Sequence, residues 1–160
     1  MNDELVLREV SETDLPILVE FETNLEGRWM AAFGAKDPID RETVLQHWRK
    51  LLRDDSAVVR TIVLEGKVAG YVLRAELLGK PCVAYWIGNE FWGKGVATRA
   101  LREFLRQVEL RPIYARVAKD NIASRRVLEK CGFTAYGEEH NYANARQMEI
   151  DELLFILPRS

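Results

Sequence analysis

Val83-Ala84-Tyr85-Trp86-Ile87-Gly88-Asn89-Glu90-Phe91-Trp92-Gly93-Lys94-Gly95-Val96-Ala97-Thr98 is the stretch on which the reading of this chain turns. Its first half is a continuous apolar run that predicts a buried, central strand. Its second half places two glycines immediately before the apolar periodicity of a long amphipathic helix. Gly93 and Gly95 let a ligand approach the backbone closely. The helix start that follows offers free N–H groups and the positive end of a dipole. Together these predict a site for a phosphate or pyrophosphate.

Working outward, Val96, Ala97, Ala100, Leu101, Phe104, Leu105 and Val108 mark the buried face of that helix, which Arg111-Pro112 ends. Ile113 to Val117 is the next strand, so strand, helix and strand imply a right-handed parallel crossover. Asp120 or Asn121 caps a further helix with Ile122, Val127 and Leu128 inward, closed by Cys131-Gly132. Phe133 to Tyr136 and Met148 to Leu157 read as final strands around a polar segment, Gly137 to Gln147. Upstream of the quoted stretch, Ala57 to Leu64 and Val68 to Glu76 form a hairpin about Glu65-Gly66-Lys67. A second turn at Gly79-Lys80-Pro81 leads into the strand of Cys82 to Gly88. Val44, Leu45, Trp48, Leu51 and Leu52 give an apolar helix face, with His47 off the stripe. Leu5 to Val10 is a strand, and Ser11 to Asp14 with Pro16 starts a helix carrying Leu15, Leu18 and Phe21. Asn24 to Asp40 is irregular, yet it carries Trp29, Met30 and Phe33. The order βααβββαβαββ predicts a mixed α/β sheet with helices on both faces.

The chain of 160 residues is most simply one domain, 1–160, without repeat, linker or low-complexity tract. Its net charge of −2 gives no global field for nucleic acid, so an anionic ligand must be held by local groups. Two cysteines, Cys82 and Cys131, lack CxxC spacing or clustered histidines, which suits free thiols in a reducing cytoplasm. The acidic start predicts no signal peptide, and no apolar run reaches the roughly 20 residues of a membrane span.

Three motifs compete at residues 88–98. A P-loop starts well with Gly88 and Gly93-Lys94, but Gly95 stands where Ser or Thr would hold magnesium. A dinucleotide fingerprint needs a third glycine at Thr98 and an acidic ribose ligand, and neither is present. Trp92-Gly93-Lys94-Gly95-Val96-Ala97 resembles the Q/R-x-x-G-x-G/A loop of the GNAT superfamily of acyl-CoA N-acyltransferases, with Trp92 in place of Gln or Arg. That aromatic setting is similar to the RimJ/RimL-like branch. Asn121-Ile122-Ala123-Ser124 followed by Val127 to Phe133 resembles the family's N-x-x-S…V-L-E-K-x-G-F segment. The element order agrees across nearly the whole chain.

The resemblance implies a six- to seven-stranded mixed sheet with about four helices, and transfer of acetyl from acetyl-CoA to an amine in a ternary complex, without metal. It implies that the diphosphate lies on the backbone from Trp92 through Gly93, Lys94, Gly95, Val96 and Ala97 to Thr98, with Lys94, Arg99 and Arg102 as sources of charge. The pantetheine arm is then expected along Tyr85, Trp86 and Ile87, with the N–H of Ile87 or Gly88 toward the thioester oxygen. Asn121 and Ser124 are expected beside the arm. Many relatives place a Tyr seven residues after this Asn to protonate the leaving thiolate. That position is Leu128 here, which makes Ser124 the candidate general acid. Glu90, Glu138, Glu139, His140, Glu152 and a water chain are candidate bases without a choice among them. Trp29, Phe33 and Tyr142 are expected to line an acceptor pocket for a protein N-terminus or a small amine. A homodimer is a family expectation alone, and a non-catalytic acyl-CoA sensor of the same fold is the alternative.

Overall fold

The computed structural model describes residues 4–23, 41–77, 79–143 and 148–159, with backbone only at 142–143. In chain order these form β1 (Leu5–Glu9), a 3-10 turn (Glu12–Asp14), α1 (Leu15–Glu22), α2 (Arg41–Leu52), β2 (Val58–Leu64), β3 (Lys67–Leu77) and β4 (Lys80–Ile87). A second 3-10 turn (Asn89–Phe91) then leads to α3 (Val96–Gln107), β5 (Ile113–Ala118), α4 (Ile122–Lys130), β6 (Thr134–Ala143) and β7 (Met148–Leu157). The seven strands make one sheet in the order β1-β2-β3-β4-β5-β7-β6. The expected mixed sheet is therefore observed, with β4 at its centre. The parallel pair is β4 with β5, joined through the α3 crossover, and every other neighbouring pair is antiparallel.

Each face of the sheet carries two helices. Val96, Ala100, Leu101, Phe104 and Leu105 of α3 and Leu128 of α4 pack on Ile62, Val72, Val83, Ala115 and Phe155. On the other face Leu15, Leu18 and Val19 of α1 and Val44 and Trp48 of α2 close over Val59 and Tyr71. Period-two alternation explains this sharing: neighbouring strand residues point to opposite faces, so a strand buried on both sides needs apolar residues at nearly every position.

Asp14 fixes where α1 begins. Its carboxylate, almost wholly buried, accepts two bonds from the Arg8 guanidinium at 2.7 and 2.9 Å, one from the Ser11 N–H at 2.9 Å, and one from the buried Thr61 hydroxyl at 2.9 Å. These tie the start of α1 to β1 and β2.

Three expectations need correction. Leu52 and Ile122 are exposed, because each lies at a helix end past the edge of the packed stripe. The polar segment after Tyr136 continues β6 as far as Ala143, in register with β7. Backbone pairing with β7 and exposure at the sheet edge let polar side chains sit in a strand there. The turn before β4 is also shorter than expected, since Lys80 and Pro81 already belong to the strand. No described helix is long and apolar enough to cross a membrane.

Candidate active site

The parallel neighbours β4 and β5 pair at a single register point, Cys82 with Tyr114. Beyond it no residue of β4 pairs with β5, which leaves an unpaired gap toward their carboxyl ends, the part of an open α/β sheet where ligands characteristically bind. The Gly88 N–H donates to the Ala69 carbonyl at 2.9 Å, and Trp86 is paired with Tyr71. Antiparallel pairing alternates along a strand, so Trp86 directs its N–H and C=O to β3, whereas Tyr85 and Ile87 direct theirs into the gap. Of the predicted arm-binding residues, Tyr85 and Ile87 thus present backbone groups to the gap. Trp86 and Gly88 do not, and the Trp86 side chain packs on the α1/α2 face.

The glycine turn lies at the gap's outer end. Gly93 and Gly95 adopt φ of 77° and 72°, the left-handed region that other residues occupy at a cost of about 1–2 kcal/mol. A Cβ at either would meet nothing within 4 Å in the protein itself, so the space over the turn is open. Trp92 to Gly95 are all exposed. Gly95 is the N-cap of α3, whose first turn holds no acidic residue to neutralise the dipole. The N–H groups of Val96, Ala97 and Thr98 belong to that first turn, whose donors have no partner within the helix. Lys94 stands at the turn, its Nζ 5.9 Å from the Phe91 ring centroid. Arg102 instead reaches the Lys130 carbonyl at 3.3 Å and caps the C-terminal end of α4. The Trp92 indole N–H donates to the Ile87 carbonyl at 2.8 Å, so this aromatic braces the turn against the end of β4.

The α4 side supplies side chains. Asn121, not Asp120, is the N-cap of α4, and its Oδ1 accepts the Ser124 N–H at 3.2 Å. An amide at that position satisfies an otherwise orphaned donor, which decides between the two cap candidates. Ser124 Oγ lies 2.7 Å from the Tyr85 hydroxyl, which is also 3.2 Å from the Ser124 carbonyl. Burial raises the Tyr85 pKa above its ordinary value, and the bond to Ser124 offsets this only in part. Leu128 is 1% exposed and belongs to the core.

The acceptor side is described in part. Trp29 and Phe33 lie outside the described residues, and Tyr142 is placed by its backbone on β6. Most candidate bases are already engaged: Glu138 pairs with Lys119 at 3.0 Å, Glu152 with Arg116 at 2.7 Å and Glu139 with the same guanidinium, while exposed His140 is hydrogen-bonded to Asp151 at 3.0 Å. Glu90 lines a small open cavity of about 260 Å³ with Glu20, Phe21, Thr23 and Asn89. Sequence reasoning missed Glu22. Partly buried, it accepts the Trp48 indole N–H at 2.8 Å, and burial raises its pKa against the opposing bonds from Trp48 and Tyr71. Its partners come from another helix and another strand, and no local pattern announces them. Among the described residues no group of three or more His, Cys, Asp or Glu is arranged to hold a metal ion.

The arrangement can hold an anion on a backbone turn and accept an amide-bearing arm as an added strand in the gap. Residues 4–134 match the family model described as the acetyltransferase (GNAT) domain. YdaF of Bacillus subtilis, provisionally named a ribosomal N-acetyltransferase, is 26% identical over 171 residues covering 98% of this chain and 92% of its own. Two solved structures share the fold. A ribosomal-protein-alanine N-acetyltransferase from Brucella melitensis has a TM-score of 0.80 at 20% identity, over 96% of this chain and 99% of its own. A spermidine N-acetyltransferase from Vibrio cholerae, in complex with CoA and spermine, has a TM-score of 0.76 at 21% identity, over 95% of each chain.

Proposed function

Because this chain belongs to the GNAT acetyltransferase family, in its RimJ/RimL-like branch, we propose that it moves the acetyl group of acetyl-CoA directly onto a primary amine. The acceptor class is a protein N-terminus or a small amine. The single observation that carries this reading is that β4, unpaired with β5 beyond Cys82, runs within a few residues into the open glycine turn. A backbone cradle for a diphosphate and an exposed strand edge for two amides meet there end to end.

In this reading the N–H groups from Gly93 to Thr98 hold the diphosphate, and Lys94 adds positive charge. Tyr85 pairs with a pantetheine amide through its outward backbone groups, while the Ile87 carbonyl stays with the Trp92 indole and leaves the Ile87 N–H for the arm. The Ile87 N–H, aimed into the gap, donates to the thioester oxygen as charge develops on it. Asn121 fixes the start of α4 and so the place of Ser124. The hydroxyl pair of Ser124 and Tyr85 meets the sulfur that leaves. Trp29, Phe33 and Tyr142 line the acceptor pocket. Holding both reactants in one gap converts a bimolecular encounter into an effectively unimolecular one.

The test is calorimetry with acetyl-CoA, followed by free-thiol release with spermidine and with an alanine-terminated peptide. Micromolar binding and amine-dependent thiol release are expected. Binding without thiol release from any amine would instead favour the sensor role, and absence of binding would refute both.

A further inference from the structure

Tyr85 rises from the strand edge that faces the gap, on the sheet face covered by α3 and α4. Its hydroxyl meets Ser124 in α4, the helix that follows β5. The phenol therefore spans from the β4 side of the gap to the β5 side. An arm lying between the two strands passes beneath it. The position from which many relatives supply a phenol is Leu128, which is sealed in the core at 1% exposure.

We propose that the Tyr85 hydroxyl is the group that protonates the departing thiolate of CoA, and that Ser124 is its positioning residue. The inference rests on the transferase reading above and specifies its proton donor. Two features favour the phenol over the serine. Tyr85 enters from the strand on which the thioester is held, so its reach is fixed by the same backbone that fixes the sulfur. Ser124 Oγ, at 2.7 Å, and the Ser124 carbonyl, at 3.2 Å, together fix where the phenol oxygen sits.

The step balances within the proposed reaction. The amine, already in its neutral form, bonds through nitrogen to the thioester carbon, and the carbon–sulfur bond breaks with its electron pair on sulfur. The Tyr85 proton moves to that sulfur. A proton lost by the attacking nitrogen returns to the Tyr85 oxygen through Ser124 Oγ. The products are an amide and a free thiol, with no net gain or loss of protons and no further reagent.

The test compares Tyr85→Phe, Ser124→Ala and Ser124→Thr with wild type, after thermal melting confirms that each folds. The first readout needs no turnover: calorimetric Kd for CoA and for desulfo-CoA. Wild type is expected to prefer CoA about fivefold, the size of one hydrogen bond to sulfur, and Tyr85→Phe to bind both equally. In turnover, Tyr85→Phe is expected to lower kcat by about 100-fold or more, the lower bound for positioned acid catalysis, with KM for acetyl-CoA within threefold. Ser124→Ala should lower kcat about tenfold, and Ser124→Thr should restore it. If Tyr85→Phe keeps both the CoA preference and kcat, the assignment is overturned while the transferase reading stands. If Ser124→Ala abolishes turnover and Tyr85→Phe does not, Ser124 is the donor instead. If wild type binds CoA yet acetylates no amine, the transferase reading itself fails and takes this role with it.

Discussion

Asp14 offers a sharp test of how the fold seats its first helix. Burial alone would raise its pKa, but the Arg8 guanidinium, the Ser11 N–H and the Thr61 hydroxyl more than reverse that, bringing it from 3.8 to about 2. The difference, at 1.36 kcal/mol per unit, makes the folded state about 2 kcal/mol more stable at neutral pH than it would be with an unshifted carboxyl. The sign follows from the depressed folded value. The contribution is fully present above the unfolded value near 3.8 and is lost as pH falls through about 2. Asp14→Asn removes the charge and should cost at least about 2 kcal/mol at neutral pH, since a nearly buried pair is broken although half-exposed Arg8 can regain water. Near pH 2 the wild-type carboxyl is itself substantially protonated, so the gap between the two proteins should narrow by more than half. Urea unfolding followed by tryptophan fluorescence across this pH range measures both curves. Parallel curves from neutral to acid pH would show that Asp14 does not hold α1 through its charge. Because Phe21, at the far end of α1, packs over Gly88, the variant should also weaken CoA binding modestly.

Gly95→Ala places a side chain at φ 72°. It should cost about 1–2 kcal/mol and weaken CoA binding about tenfold or more in calorimetry, and unchanged affinity would speak against the backbone cradle. Gly70→Ala would bring a Cβ to 2.0 Å from the Trp86 carbonyl oxygen. The clash is with backbone, so β4 must shift; a loss of about 1–3 kcal/mol in urea unfolding is expected, together with weaker CoA binding, and a neutral result would contradict the register. Leu128→Tyr, which copies relatives, should be destabilised by about 1–3 kcal/mol because the site is core. It should not raise kcat, and a clear gain in turnover would restore α4 as the source of the acid. Replacing Trp29, Phe33 and Tyr142 together by Ala should raise acceptor KM while leaving the Kd for CoA unchanged, and an unaltered KM would remove them from the acceptor pocket.

Much of the architecture was legible in the residue order. Period-two and helical patterns located all seven strands and the four described helices, and the paired blocks Trp92 to Thr98 and Asn121 to Phe133 carried the family. Those signals are local: a glycine tolerating positive φ, a cap, a stripe one helix turn wide. The misread places lay where burial is set from elsewhere. Ile122 fits a helical stripe but is exposed at the helix start, and the half of β6 after Tyr136 looks like a loop until β7 pairs with it.

The sequence by itself determined which elements form and where an anion can sit, because turn geometry and hydrophobic period depend on neighbours within a few residues. Tertiary structure alone decided that β4 and β5 part after one pairing, that Ile87 rather than Gly88 aims its N–H into the gap, and that the Tyr85 phenol crosses to Ser124. Tyr85 and Ser124 lie 39 residues apart. Contacts of that kind depend on strand order and register, which no window of sequence contains.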